Sequence, residues 1–119
     1  MQEKKRVYLA GKITGDPLYR SKFYDAAKAL KEAGFNVLSP AILPDGFTYE
    51  AYMRMTTAML DECEAACFLP DWWESKGAMY EYGRAAAYNK EIFFFEEWLA
   101  EWQAAQPKAE EAAVMKIAE

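Results

Sequence analysis

Between two apolar runs, residues 65–69 and 92–95, lies the stretch S-K-G-A-M-Y-E-Y-G-R-A-A-A-Y at residues 75–88. An apolar strand, a short loop and a Ser/Gly helix start aim unpaired backbone N–H groups and the positive end of a helix dipole at the strand mouth. That arrangement favours an anionic guest. Glu81 follows Gly77 by four residues, about one helical turn, so its carboxylate sits just beneath such an anion. Its chemistry would be that of a partly buried acid or nucleophile. The plainer alternative is a surface ion pair with Arg84 at i+3, which contributes only a few tenths of a kcal/mol, roughly.

Ala78, Tyr82, Ala85 and Ala86 form the stripe expected to pack on a sheet, and Glu81 borders it. A carboxylate there costs stability unless it has a function. Gly83 and the alanines read as close helix–sheet packing.

The composition narrows what else can react. The 119 residues contain no histidine, which removes Ser-His-Asp and Cys-His nucleophile systems and mixed Cys/His zinc sites. Acid–base work is left to carboxylates, tyrosine and lysine. The two cysteines, Cys63 and Cys67, are too few for a metal site and read as small buried apolar groups. With no signal peptide or long apolar span, the expectation is a reduced, cytoplasmic protein. A formal charge of -5 with no basic block argues against nucleic acid, while local amide dipoles still allow a small anion. An apolar share of 53% points to a globular domain with surface to spare for a homo-oligomer.

The elements that must position these groups alternate between strand and helix. Residues 6–10 form a first strand entering the loop G-K-I-T-G, where Lys12 and backbone N–H groups could approach a phosphate, or where the glycines simply serve a tight turn. Asp16 and Pro17 read as N-cap and first position of an amphipathic helix that Gly34 stops. Residues 35–38 are a second strand, and residues 39–47 are a Pro- and Gly-punctuated loop long enough to act as a lid. Thr48 caps a helix whose inward line runs Tyr49, Tyr52, Met53, Thr56, Met59, Leu60 and Cys63. Residues 96–103 read as helical, and Pro107 opens a last Ala/Glu-rich helix.

The fold class is therefore α/β: a three-layer Rossmann- or flavodoxin-like domain with a four- or five-stranded parallel sheet. Ligands should collect beyond the strand C-termini, where residues 11–15, 39–47 and 71–77 meet. Tyr8, near the end of the first strand, can reach a carboxylate there. Trp72 and Trp73, in the mouth loop, could stack on a base, whereas Trp98 and Trp102 could seal a subunit interface. Residues 1–95 make up the domain proper, and 96–119 a helical extension suited to oligomerisation.

Two stretches, V-Y-L-A-G-K-I-T-G and C-F-L-P-D-W-W-E-S-K-G-A-M-Y-E-Y-G-R-A, resemble the nucleoside 2-deoxyribosyltransferase-like superfamily. They are most similar to its DUF4406-type branch of small phage and bacterial proteins, over residues 6–95. The chain also resembles 2'-deoxynucleoside 5'-monophosphate N-hydrolases through S-x-G-x-x-x-E. The resemblance implies that Glu81 is a nucleophile attacking C1' of a deoxyribose, to be released by water in a hydrolase or by an acceptor base in a transferase. It implies that Ser75 and Gly77 hold a 5'-phosphate and that Tyr8 orients the nucleophile; Lys12, where some relatives have Ser or Pro, suits a phosphate-bearing ligand, and Gly11 of the same loop and Trp72 of the mouth loop are the further candidate substrate contacts. It also implies no metal or organic cofactor, a small-molecule deoxynucleoside or deoxynucleotide as partner, and groups borrowed from a neighbouring subunit.

One departure stands out. Where active relatives place an aspartate before the third strand, this chain has Thr56, which cannot offset positive charge on the sugar. Asp71 is the candidate substitute acid. Two further readings follow: nucleotide binding without turnover, in a sensor or host-directed phage factor, or an assembly protein working through its aromatic tail.

Overall fold

The computed structural model describes residues 4–106. In chain order the elements are β1 (Arg6–Ala10), α1 (Tyr19–Glu32), β2 (Asn36–Leu38), α2 (Tyr49–Asp61), β3 (Ala65–Phe68), α3 (Lys76–Ala87), β4 (Glu91–Phe94) and α4 (Phe95–Ala105). Single 3-10 turns at Pro40–Ile42 and Trp72–Glu74 punctuate two of the loops. The helix expected from Pro107 lies outside the described residues.

All four strands are parallel, in the order β2-β1-β3-β4. The register pairs Val7 with Ala65, Tyr8 with Ala66, Leu9 with Cys67 and Ala10 with Phe68. Because side chains alternate along a strand, this splits the core in two. Val7, Leu9, Ala65 and Cys67 pack against Phe23, Ala26, Ala27 and Leu30 of α1, with Trp98 of α4 alongside. Tyr8, Ala10, Ala66 and Phe68 face Leu60 of α2 and Ala78 and Ala85 of α3. The result is the expected three-layer sandwich with four strands. Cys63 and Cys67 are free and buried in it. Among the described residues no helix is long and apolar enough to cross a membrane.

Local chemistry explains the helix ends. Gly34 takes a φ of +100°, and Phe35 N–H bonds to Leu30 O while Gly34 N–H bonds to Lys31 O, which closes α1 in a Schellman motif. Thr48 Oγ1 accepts from Ala51 N–H at the start of α2, as its position predicts. The start of α1 differs from expectation. Asp16 Oδ1 accepts from Leu18 N–H in a local turn, and the helix begins at Tyr19 with Leu18 at the N-cap position, where it offers no side-chain cap. The strand order reverses between β1 and β3, so the crevice for a ligand opens beyond their C-terminal ends, on the face carrying Tyr8.

Candidate active site

A cavity of about 560 Å³ occupies that crevice. Its inner end is lined by Tyr8, Gly11, Thr56, Ser75, Gly77 and Glu81. Glu81 is only 5% exposed and lies on the sheet-facing stripe of α3 between Ala78 and Ala85. The Tyr8 hydroxyl, itself buried, donates to Glu81 Oε2 at 2.5 Å. Burial pushes the Glu81 carboxyl up to about 7, with the Tyr8 hydrogen bond and the nearby Thr56 hydroxyl pulling the other way. Burial and the neighbouring Glu81 charge together hold the Tyr8 phenol well above its ordinary range, so it stays a donor.

The surface ion pair with Arg84 does not form. Arg84 instead makes a two-pronged bond to Asp61, at 2.8 and 2.7 Å, and covers the ring of Tyr88. Two neighbours of Glu81 also differ from expectation. Ala86 is exposed, and a Cβ on Gly83 would meet open space, so neither serves helix–sheet packing.

Ser75 is the N-cap of α3, its Oγ accepting from Ala78 N–H at 3.1 Å. The hydroxyl proton and the first-turn N–H groups remain for a guest. A Cβ on Gly77 would stand 3.1 Å from Met53 Sδ, so the missing side chain lets the start of α3 close on α2. Gly11 is tighter: a Cβ there would lie 2.8 Å from Leu69 Cδ1 and 3.2 Å from Asp71 Oδ1.

Three candidates take other positions. Asp71 is outside the cavity wall. Its Oδ1 accepts from Lys12 N–H at 3.0 Å and its Oδ2 is bonded to Lys22, so it ties two loops together and is not the substitute acid. Lys12 also lies off the wall, with its ammonium 3.7 Å from Glu74. Trp72 stacks on Tyr82 at 4.8 Å and meets Phe68 edge-on; the 3-10 turn folds its ring back onto the core, off the cavity wall. In the tail, Trp98 stacks on Trp102 and packs on Phe35 and Phe93.

Thr56 sits where the comparison of motifs placed the missing aspartate. It is buried beside the Tyr8–Glu81 pair, close enough for its hydroxyl to lower the pKa of both, yet its Oγ1 completes no hydrogen bond of proper geometry. The other cavity acids stand at the rim: Asp45 is bonded to Arg20, and Glu74 lies beside Lys12.

The outer part of the cavity joins Leu43 and Phe47 of the expected mouth loop to tyrosines of α1 and α2, of which Tyr49 and Tyr52 were expected to face inward. Tyr19, Leu43, Phe47, Tyr49 and Tyr52 line it. Tyr49, expected to face inward, is 52% exposed.

Two comparisons bear on this geometry. The family described as "Domain of unknown function (DUF4406)" matches residues 5–94, and the chain belongs to that family. Among solved structures, the fold is similar to that of "2-desoxiribosyltransferase from Leishmania mexicana", with a TM-score of 0.61 at 21% identity. The match covers 76% of this chain and 63% of that one, so the chain spans less than two thirds of that protein. No curated protein matches the sequence. The DUF4406-type resemblance of the two motifs is thus met in the family, and the likeness to the solved structure is one of fold.

Proposed function

We propose that the protein cleaves or transfers the N-glycosidic bond of a 2'-deoxynucleoside or its 5'-monophosphate through a covalent glycosyl-Glu81 intermediate. The observation carrying this reading is the buried Glu81 carboxylate, held by Tyr8 at the inner end of a cavity whose rim is the N-terminus of α3. Ionised Glu81 attacks C1'; a C–O bond forms as the C1'–N bond breaks, and the base leaves with the bonding pair and takes up a proton. Water then adds at C1', releases a proton and restores the carboxylate. In transfer, a second base replaces the water.

Tyr8 keeps one carboxylate oxygen oriented, and Ser75 with the free N–H groups of α3 holds a phosphate. The steps as written call on no metal or organic cofactor. Free, buried Cys63 and Cys67 suit a reducing, cytoplasmic setting. Exposed Tyr49, Met79 and Tyr80 on α2 and α3 suit a homo-oligomer. The deciding experiment is intact-mass spectrometry after incubation with 2'-deoxynucleotides. An adduct of one deoxyribosyl unit, absent in Glu81→Ala, supports the reading; a full panel left intact refutes it.

One observation favours a second reading, nucleotide binding without turnover. Thr56 beside Glu81 leaves no second buried carboxylate in the cavity among the described residues, so charge on the sugar has less to stabilise it. Calorimetric binding without base release, unchanged by Thr56→Asp, would establish that reading instead.

A further inference from the structure

Tyr8 of β1, Thr56 of α2 and Glu81 of α3 bring their side-chain oxygens together at the inner end of the cavity. The Tyr8 proton is committed to Glu81 Oε2. Thr56 is 7% exposed, and its Oγ1 is the one buried side-chain nitrogen or oxygen among the described residues that has no hydrogen-bond partner. An orphan of that kind is destabilising, and its surroundings narrow down what it serves.

A helical threonine ordinarily turns its hydroxyl back to the carbonyl four residues earlier, which here belongs to Tyr52. Thr56 makes no such bond. It lies one turn before Leu60, on the face of α2 that packs over Tyr8, and its hydroxyl acts on Tyr8 and Glu81 alike. Because Oγ1 is shut off from solvent, a guest in the cavity cannot reach it as it stands. Its partner therefore has to be one of the pair. A charged carboxylate attracts a donor more strongly than a phenol oxygen does, and it has room for several donors where Tyr8 supplies one.

We infer that Thr56 is a positioning residue: its hydroxyl turns to Glu81 when that carboxylate ionises and becomes the second donor, beside Tyr8, that holds the charged nucleophile in a dry site. The contact gains its purpose from the proposed role of Glu81, on which this part of the inference rests. An aspartate at this position would set a second negative charge against Glu81, whereas threonine offers a proton and no charge. The position thus assists the nucleophile instead of the departing base. No charged side chain competes for that part: Cys63, ahead of β3, acts on Tyr8 alone, and the wall residues Asp45, Glu74 and Lys76 are not among the groups that act on Glu81.

The test is the titration of Glu81, followed by the carboxyl-carbon NMR signal of glutamate-labelled protein and assigned from Glu81→Gln. Thr56→Val keeps the shape and removes the proton; Thr56→Ser restores it. The midpoint should rise by about one pH unit with valine and return with serine. For base release from 2'-deoxynucleotides, kcat/KM of Thr56→Val should then fall about tenfold near pH 6 and stay within about threefold near pH 9, a split that a packing defect would not produce. Thermal melting checks the fold, and Thr56→Ala, which also lacks the hydroxyl, repeats the titration if valine fails to pack. A midpoint that stays put or moves down overturns the inference, and so does a rise that vanishes in a Tyr8→Phe background, which would route the contact through Tyr8. If the midpoint rises and no deoxynucleotide loses its base, the contact stands and the glycosidase reading falls; base release with an unmoved midpoint gives the reverse.

Discussion

The hydroxyl of Tyr8, in the second residue pair of the central β1–β3 ladder, donates to the carboxylate of Glu81 on α3, 73 residues further along the chain. The pair is buried on the sheet face shared by α2 and α3, at the point where the strand order reverses. An acid in such a place is stabilising in its neutral form and reactive in its charged one, and most of what can be tested follows from that opposition.

Glu81→Gln should abolish any adduct and lower base release by three orders of magnitude or more, on the order of 4 kcal/mol of barrier. It should also alter stability in a pH-dependent way. The folded Glu81 pKa is about 7 against an ordinary 4.5, so the acid's contribution is fully present below pH 4.5 and is lost as pH rises through 7. The loss is on the order of 3 kcal/mol. The glutamine variant escapes it, so its stability relative to the parent should rise between pH 4.5 and 8 and level off above. Urea melts at several pH values measure this; a constant difference would mean that Glu81 is not held in a dry site.

If ionised Glu81 is the attacking group, kcat/KM should climb with pH and flatten above about 7. Removing the hydrogen bond in Tyr8→Phe takes away a group that lowers the acid's pKa, so the midpoint should move upward as the plateau falls tenfold or more. A plateau that falls with its midpoint unmoved would make Tyr8 a packing residue only.

Lys22 joins three parts of the mouth. Its ammonium bonds to Lys12 O at 2.8 Å, to Asp16 at 2.6 Å and to Asp71 at 2.5 Å. Partial burial opposes its charge, but the two carboxylates outweigh that and raise its pKa, while Lys22 lowers that of Asp16. Lys22→Met leaves the two acids facing each other without the cation. Stability should drop by about 1–3 kcal/mol, read from denaturant midpoints, and nucleotide affinity should fall as the first loop loosens. Unchanged melts would show the cluster to be solvent-shared and weak.

Two glycines should respond in opposite directions. Gly11→Ala pushes a methyl into Leu69 and toward Asp71 and should cost about 1–3 kcal/mol. Gly83→Ala, on an exposed helical position with no atom within 4 Å of the new carbon, should gain about 0.5–1 kcal/mol. Thermal melts of the two variants decide the matter, and a destabilised Gly83→Ala would show that α3 needs its backbone freedom there.

The alternation of strands and helices was legible because each apolar run is short and bounded by glycine, proline or a capping residue; Gly34 and Thr48 act as read. Glu81, Tyr8, Ser75 and Gly77 do meet at one cavity, since helix rise and strand pleat are local rules that carry a side chain to a known face. Long-range partners were not legible. Nothing near Asp71 announces Lys22, 49 positions earlier, and nothing near Arg84 announces Asp61. Ring direction was equally hidden: Trp72 lies in the mouth loop by position, yet a single 3-10 turn folds it onto Tyr82. Tyr49 and Tyr52 were read as core because periodicity reports which side of a helix is apolar, and says nothing about whether a strand lies opposite.

The β1–β3 pairing has a consequence during synthesis. As the ribosome delivers the chain, β1 and β2 can associate early, but the other edge of β1 stays bare until residues 65–68 emerge. For that interval Val7 and Leu9 lie beside an open row of amides, ready to join another nascent copy. Slowing elongation between β2 and β3 prolongs that interval and should lower the soluble yield of the protein.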